Sequence, residues 1–90
     1  MAQAIVDPED LRMFASELRR LNDEVHDRMI ALKGLFAALG ETWRDQEQAK
    51  FAEEFDRTLT VLESFHTSAD KHFPFLVGKA EAAQEYLDRS

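Results

Sequence analysis

Three histidines and eighteen acidic side chains are the groups in this sequence that could hold a metal or move a proton. A protein metal site needs several donors converging from compatible helical positions. His66 and Asp70 stand one helical turn apart, with Glu63 and His72 nearby, but His72 points well away from His66 around a helix, and no second segment offers a matching pair. The carboxylates fall mostly opposite the apolar stripes, at spacings that suit solvated pairs: Arg20 with Glu24, Glu24 with Arg28, Glu53 with Arg57. There is no glycine-rich phosphate loop, no nucleophile elbow and, without cysteine, no Cys/His pairing. The sequence therefore points to no catalytic residue, no metal and no cofactor, and His66, placed in an apolar seam, reads as a core or register residue. Whatever the chain does, it does by contact.

Ninety residues without cysteine make one domain with a modest core and no covalent staple. Two prolines, three glycines, 44% hydrophobic and 32% charged residues are the balance of amphipathic helices, so the fold class is all-α. The formal charge of -7 disfavours nucleic acid and anionic membrane surfaces, both of which attract basic stripes. Met1 to Val6 carries no basic segment leading an apolar run of signal-peptide length, and no later stretch approaches a membrane span.

Two helices account for the chain. The first, about 8–39, opens with Asp7 as cap, Pro8 at the first helical position and acids at the positive helix end. Leu11, Leu18, Val25, Leu32 and Leu39 recur at one heptad position, with Phe14, Leu21 and Leu35 at another and Arg28 as its exception, which predicts a seam. Gly40 stands where a left-handed residue would end the helix, and a turn over about 40–45 follows. Asp45 and Gln48 suit a capping box for the second helix, about 46–88. That helix carries an unbroken stripe from Phe55 through Leu62, His66, Ala69, Phe73 and Leu76 to Leu87, so Pro74 predicts a kink rather than a break.

Two antiparallel helices cover one stripe on each, and this sequence has more. Phe36 and Met29 broaden the stripe of helix one, Phe51, Phe65 and Val61 flank that of helix two, and Ile30 lies outside. At about 1.5–3 kcal/mol per fully buried large side chain, covering several of these rivals the stability of a small domain. The economical arrangement is a four-helix bundle dimer of two hairpins, with Phe36, Phe51, Phe55, Leu62 and Phe65 on the pairing face.

Two long helices, a tryptophan in the turn and a tyrosine near the C-terminus carry a further reading. The turn is Glu41-Thr42-Trp43-Arg44-Asp45 and the end is Tyr86-Leu87-Asp88-Arg89-Ser90. Over its whole length the chain resembles the WXG family of small type VII secretion substrates. The resemblance implies a homodimer or a pair with a related hairpin protein, export without a cleavable signal peptide, and Tyr86 acting with the partner's turn as a signal to secretion machinery. Asp45 stands where that family has glycine, and Ser90 where its terminal motif has an acid. A rival reading keeps the same fold as a cytoplasmic adaptor or secretion chaperone with no export role. Trp43 has two readings as well: a seal on the open end of the bundle, or an exposed recognition anchor.

Overall fold

In the computed structural model the described residues are 6–89. Met1–Ile5 and Ser90 lie outside them, and with them the readings of the extreme N-terminus and of the serine in the tyrosine motif. The described chain is an all-α hairpin: α1 (Pro8–Leu39) and α2 (Gln46–Arg89), with no strand among these residues. Cross-helix contacts of Arg12 with Gln84 and Lys33 with Glu63 fix the antiparallel sense.

The helix ends follow from local chemistry. Asp7 has extended backbone angles and its Oδ1 accepts the Glu9 amide at 2.8 Å, while Pro8 occupies the first helical turn, where a missing N–H costs nothing. At the other end of α1, Gly40 departs from expectation. Its φ of -62° and ψ of -14° are right-handed, and its amide donates to the carbonyls of Phe36 and Ala37. No described residue has positive φ. Glycine serves here by its lack of bulk, since a Cβ would lie 3.2 Å from the Ala37 carbonyl oxygen. A turn closed without left-handed angles also removes any need for glycine at 45. Asp45 instead caps α2, its Oδ1 accepting the Gln48 amide at 2.9 Å. The return bond from the Gln48 side chain is not made among the described residues, so half of the expected capping box is present. Pro74 lies inside α2 without ending it.

The helices meet along a seam that α2 builds as its stripe predicts as far as Ala83: Leu59, Ala69 and Ala80 are buried, and Phe55, Leu62, His66, Phe73, Leu76 and Ala83 half-buried, while Leu87, past the end of the contact with α1, is exposed. On α1 the seam is shifted. The line against α2 is Pro8, Ala15, Asn22, Met29 and Phe36, with Leu11, Leu18 and Val25 half-buried beside it. Phe14, Leu21, Leu32, Leu35 and Leu39, expected in the intrachain seam, are exposed by 60%, 48%, 47%, 67% and 45%. Steric bulk explains the rotation. Ala15, Ala69 and Ala80 let two backbones approach closely, whereas larger side chains on that line would hold them apart.

Asn22, 2% exposed, is the polar residue that fixes this seam. Its Nδ2 donates to the His66 carbonyl at 3.1 Å and lies 3.5 Å from an Asp70 carboxylate oxygen. A buried asparagine that finds its partner in one register only selects that register. His66, for which the sequence offers either a core or a register role, stacks its ring on His26 with centroids 4.5 Å apart.

The hairpin measures 67 × 21 × 14 Å, with a radius of gyration of 20.2 Å. A globular chain of this length would have roughly 12 Å. One helix diameter thick, it encloses no large side chain completely among the described residues.

Two substitutions test the seam by urea unfolding. Ala69→Leu should lower stability by about 1–3 kcal/mol through overpacking. Asn22→Leu should leave it equal or raised, because the Asn22 Oδ1 is buried without a hydrogen-bond partner. A marked loss in Asn22→Leu would show that the asparagine stabilises the seam rather than selecting its register.

Candidate interaction interface

The two broad faces of the hairpin differ in chemistry. On one, α1 presents Arg12, Arg19, His26 and Lys33 at seven-residue steps. They face Gln84, Phe73, His66 and Glu63 of α2. Arg12 Nη1 donates to Gln84 Oε1 at 3.5 Å, the Arg19 guanidinium lies 4.7 Å from the centre of the Phe73 ring, and Lys33 Nζ pairs with Glu63 at 3.5 Å. Exposed contacts of this kind contribute about 0–1 kcal/mol each. Their consequence is a face that remains content in water.

The opposite face is apolar. α1 contributes Phe14, Leu21, Leu32 and Leu35, and α2 contributes Phe51 and Phe65, exposed by 46% and 42%. Between them runs a groove of about 390 Å³ walled by Leu21, Val25, Met29, Leu32 and Leu62. Glu24 and Arg28 stand at its edge. No hydrogen bond or ion pair crosses between the helices on this side among the described residues. Such a surface exceeds the scattered hydrophobes of an ordinary monomer and marks an interaction site.

An aromatic cluster closes the turn end. Phe36 and Phe55 meet across the two helices at 4.8 Å between ring centres, Phe51 stacks on Phe55 at 5.8 Å, and Trp43 lies on Phe51 at 6.0 Å. Pairs at these separations add about 0.5–1.5 kcal/mol beyond area burial. Trp43 is positioned by its own amide, which donates to the Leu39 carbonyl at 3.0 Å, and is half-buried.

The residues singled out from sequence thus divide into groups. Phe36 and Phe55 spend part of their surface inside the hairpin, against each other, while Phe51, Leu62 and Phe65 border the apolar face. Trp43 and Asp45 occupy the turn, and Tyr86, 58% exposed, lies toward the far end of α2, roughly 60 Å away at about 1.5 Å per residue. Sequence reasoning missed Phe14, Leu21, Leu32 and Leu35 as members of the outward face. The available signal was the run of small or polar residues, Ala15 and Asn22, beside them. The predicted pairs of Glu24 with Arg20 and Arg28, and of Glu53 with Arg57, are not made among the described residues. Arg20 pairs with Glu17 at 3.2 Å, Arg12 with Glu9 at 3.4 Å and Arg89 with Glu85 at 3.3 Å. No group of three or more His, Cys, Asp or Glu side chains among the described residues is placed to hold a metal.

Comparison with known proteins gives a consistent picture. Residues 3–85 match the sequence profile of the WXG100 family, described as proteins of 100 residues with WXG. The fold is similar to the crystal structure of a point mutant of EsxB, a secreted protein from Bacillus anthracis str. Sterne. The similarity has a TM-score of 0.59 at 24% identity, over 99% of this chain and 94% of that one. No curated protein matches the sequence.

Trp43 is the sole tryptophan, so its emission reports on the turn end directly. Phe51→Ala should move that emission to longer wavelength as the indole loses its ring neighbour to water, with helicity retained by circular dichroism. An unchanged spectrum would place Trp43 against something other than Phe51 in solution.

Proposed function

The chain belongs to the WXG100 family, and on that premise we propose that it is a helical-hairpin protein of a type VII-like secretion system, working by pairing with a second hairpin. The observation that carries this reading is the gathering of exposed Phe14, Leu21, Leu32, Leu35, Phe51 and Phe65 on one face. Two hairpins laid apolar face to apolar face form a four-helix bundle, in which these side chains gain the core that one layer cannot supply. The partner is a second copy or a related hairpin, since the surface required is one of equal length and like apolar patterning. In this reading the chain is a substrate or component of the system, with Trp43 at one end and Tyr86 at the other as the features presented to the machinery. Export proceeds without a cleavable signal peptide. No described helix is long and apolar enough to cross a membrane. Catalysis has no part in the proposal.

A second reading, a cytoplasmic adaptor or secretion chaperone of the same hairpin type, draws on Trp43. The indole is half-buried against Phe51, as a structural seal would be, and Asp45 replaces the glycine of the turn motif with a cap. The two readings differ in whether the protein reaches the culture supernatant of cells with an intact secretion system.

The first test is solution mass by light scattering across a range of concentrations. We expect twice the mass of one chain, or a monomer that reaches that mass on adding a related hairpin. Leu21→Glu with Leu35→Glu should weaken either association by about a hundredfold or more, because two charges enter an apolar seam. A protein that remains monomeric with every hairpin offered, or a double variant that pairs as well as the parent, would sink the pairing proposal.

A further inference from the structure

Arg28 stands in the middle of the apolar face. It occupies the place in the seven-residue line of Phe14, Leu21 and Leu35 where a further large apolar side chain would fall, and it borders the groove of Leu21, Val25, Met29, Leu32 and Leu62. It is exposed and, among the described residues, makes no hydrogen bond or ion pair. Glu24, one turn earlier at the edge of the same groove, is also unpaired among these residues, although Glu and Arg four residues apart suit each other on a helix. Covering this face takes Arg28 out of water, and a guanidinium buried without a carboxylate is strongly unfavourable.

α2 carries a second pair of this kind. Lys79 lies two seven-residue steps after Phe65, and Glu54 three turns before it, so both fall on the side of α2 that presents that exposed ring. Neither makes an ion pair among the described residues. The midpoint between Glu54 and Lys79 falls between His66 and Thr67, and the midpoint between Glu24 and Arg28 falls at His26. The stacking of His26 on His66 puts these two midpoints at one level of the rod, near the middle of both helices. A single two-fold axis across the apolar face at that level, with the turns at opposite ends, therefore brings Glu24 of each copy to Arg28 of the other, and Glu54 of each to Lys79 of the other. The remaining charged groups of this side do not oppose the arrangement. Glu17 is held by Arg20, Asp10 and Glu47 stand toward the ends of the rod, and His72 comes level with Val61 of the other copy.

We infer that Arg28 selects the partner on this face, and that the partner it selects is a second copy of this chain. The inference rests on the pairing reading above and names the occupant. A second copy offers Glu24 where Arg28 needs a carboxylate and receives the same contact in return, so the charges close into reciprocal pairs. A hairpin with an apolar or basic side chain at that level leaves Arg28 buried and unmatched, and is rejected.

The test uses the full chain and two charge reversals, Arg28→Glu and Glu24→Arg, with solution mass followed by light scattering over a dilution series. Each variant alone places like charges opposite each other and should pair with itself about tenfold or more weakly than the parent. Mixed in equal amounts, the two variants should regain twice the mass of one chain at concentrations where each alone is a monomer, because the mixture restores both pairs across the axis. Circular dichroism checks that each variant keeps its helicity. Variants that pair with themselves as well as the parent does would overturn the inference, as would a mixture as weak as its components, which would assign Glu24 to the Arg28 of its own chain. A parent that pairs only with an unlike hairpin would overturn it too, while leaving the pairing reading in place. A parent that pairs with nothing would overturn both.

Discussion

Two helices lying side by side shield each other along one line, and every other direction around each helix faces water. That geometric limit governs the molecule. Much of the line of contact is given to small and polar residues, Ala15, Asn22, Ala69 and Ala80, with Met29 and Leu59 as the large side chains buried on it, because close approach of the backbones leaves room for few of them. Large apolar side chains are thereby displaced to a flank, where the hairpin has nothing to set against them. The exposed leucines and phenylalanines are thus the counterpart of a tight seam, and the same packing that stabilises the hairpin creates its need for a neighbour.

The polar face completes this division of labour. Arg12, Arg19, His26 and Lys33 meet α2 at level after level, through an amide, a ring, a second imidazole and a carboxylate. Individually weak, these contacts share one register with the Asn22 bond to the His66 carbonyl, and a slip of one helix along the other would break several at once. Specificity of alignment comes from this side of the molecule, and cohesion from the apolar cluster at the turn.

Much of the architecture was legible in the sequence, for reasons that differ by element. The start of α1 was written in Asp7 and Pro8, and the stripe of α2 in regular apolar spacing, because caps and periodicity act locally. The rotation of α1 was not legible. A heptad reading places the largest apolar residues in the nearest seam, and the choice between Leu21 and Asn22 depends on how closely two backbones approach, which only the pair of helices decides. Gly40 misled for a similar reason: a glycine after a helix suggests left-handed angles, whereas here the need was for room beside the Ala37 carbonyl. The departure at Asp45 also became intelligible once the turn proved to contain no positive φ. Of the apolar residues expected to meet a partner, Phe51, Leu62 and Phe65 of α2 border the exposed apolar face. On α1 the emphasis fell on Phe36, which the turn cluster partly claims.

The antiparallel layout also gives the hairpin a directional response to force. The first residues of α1 and the last of α2 lie at one end of a 67 Å rod, as the contact of Arg12 with Gln84 shows. Tension applied between those two strands of the chain loads one level of the seam at a time, beginning at Arg12 and Gln84 and ending at the aromatic cluster around Phe36. Tension applied between the end of α2 and the turn runs along α2 itself, which is continuous with the turn, and bypasses the seam. The seam is therefore opened by peeling from the open end, with the cluster of Trp43, Phe51, Phe55 and Phe36 as the last point to yield.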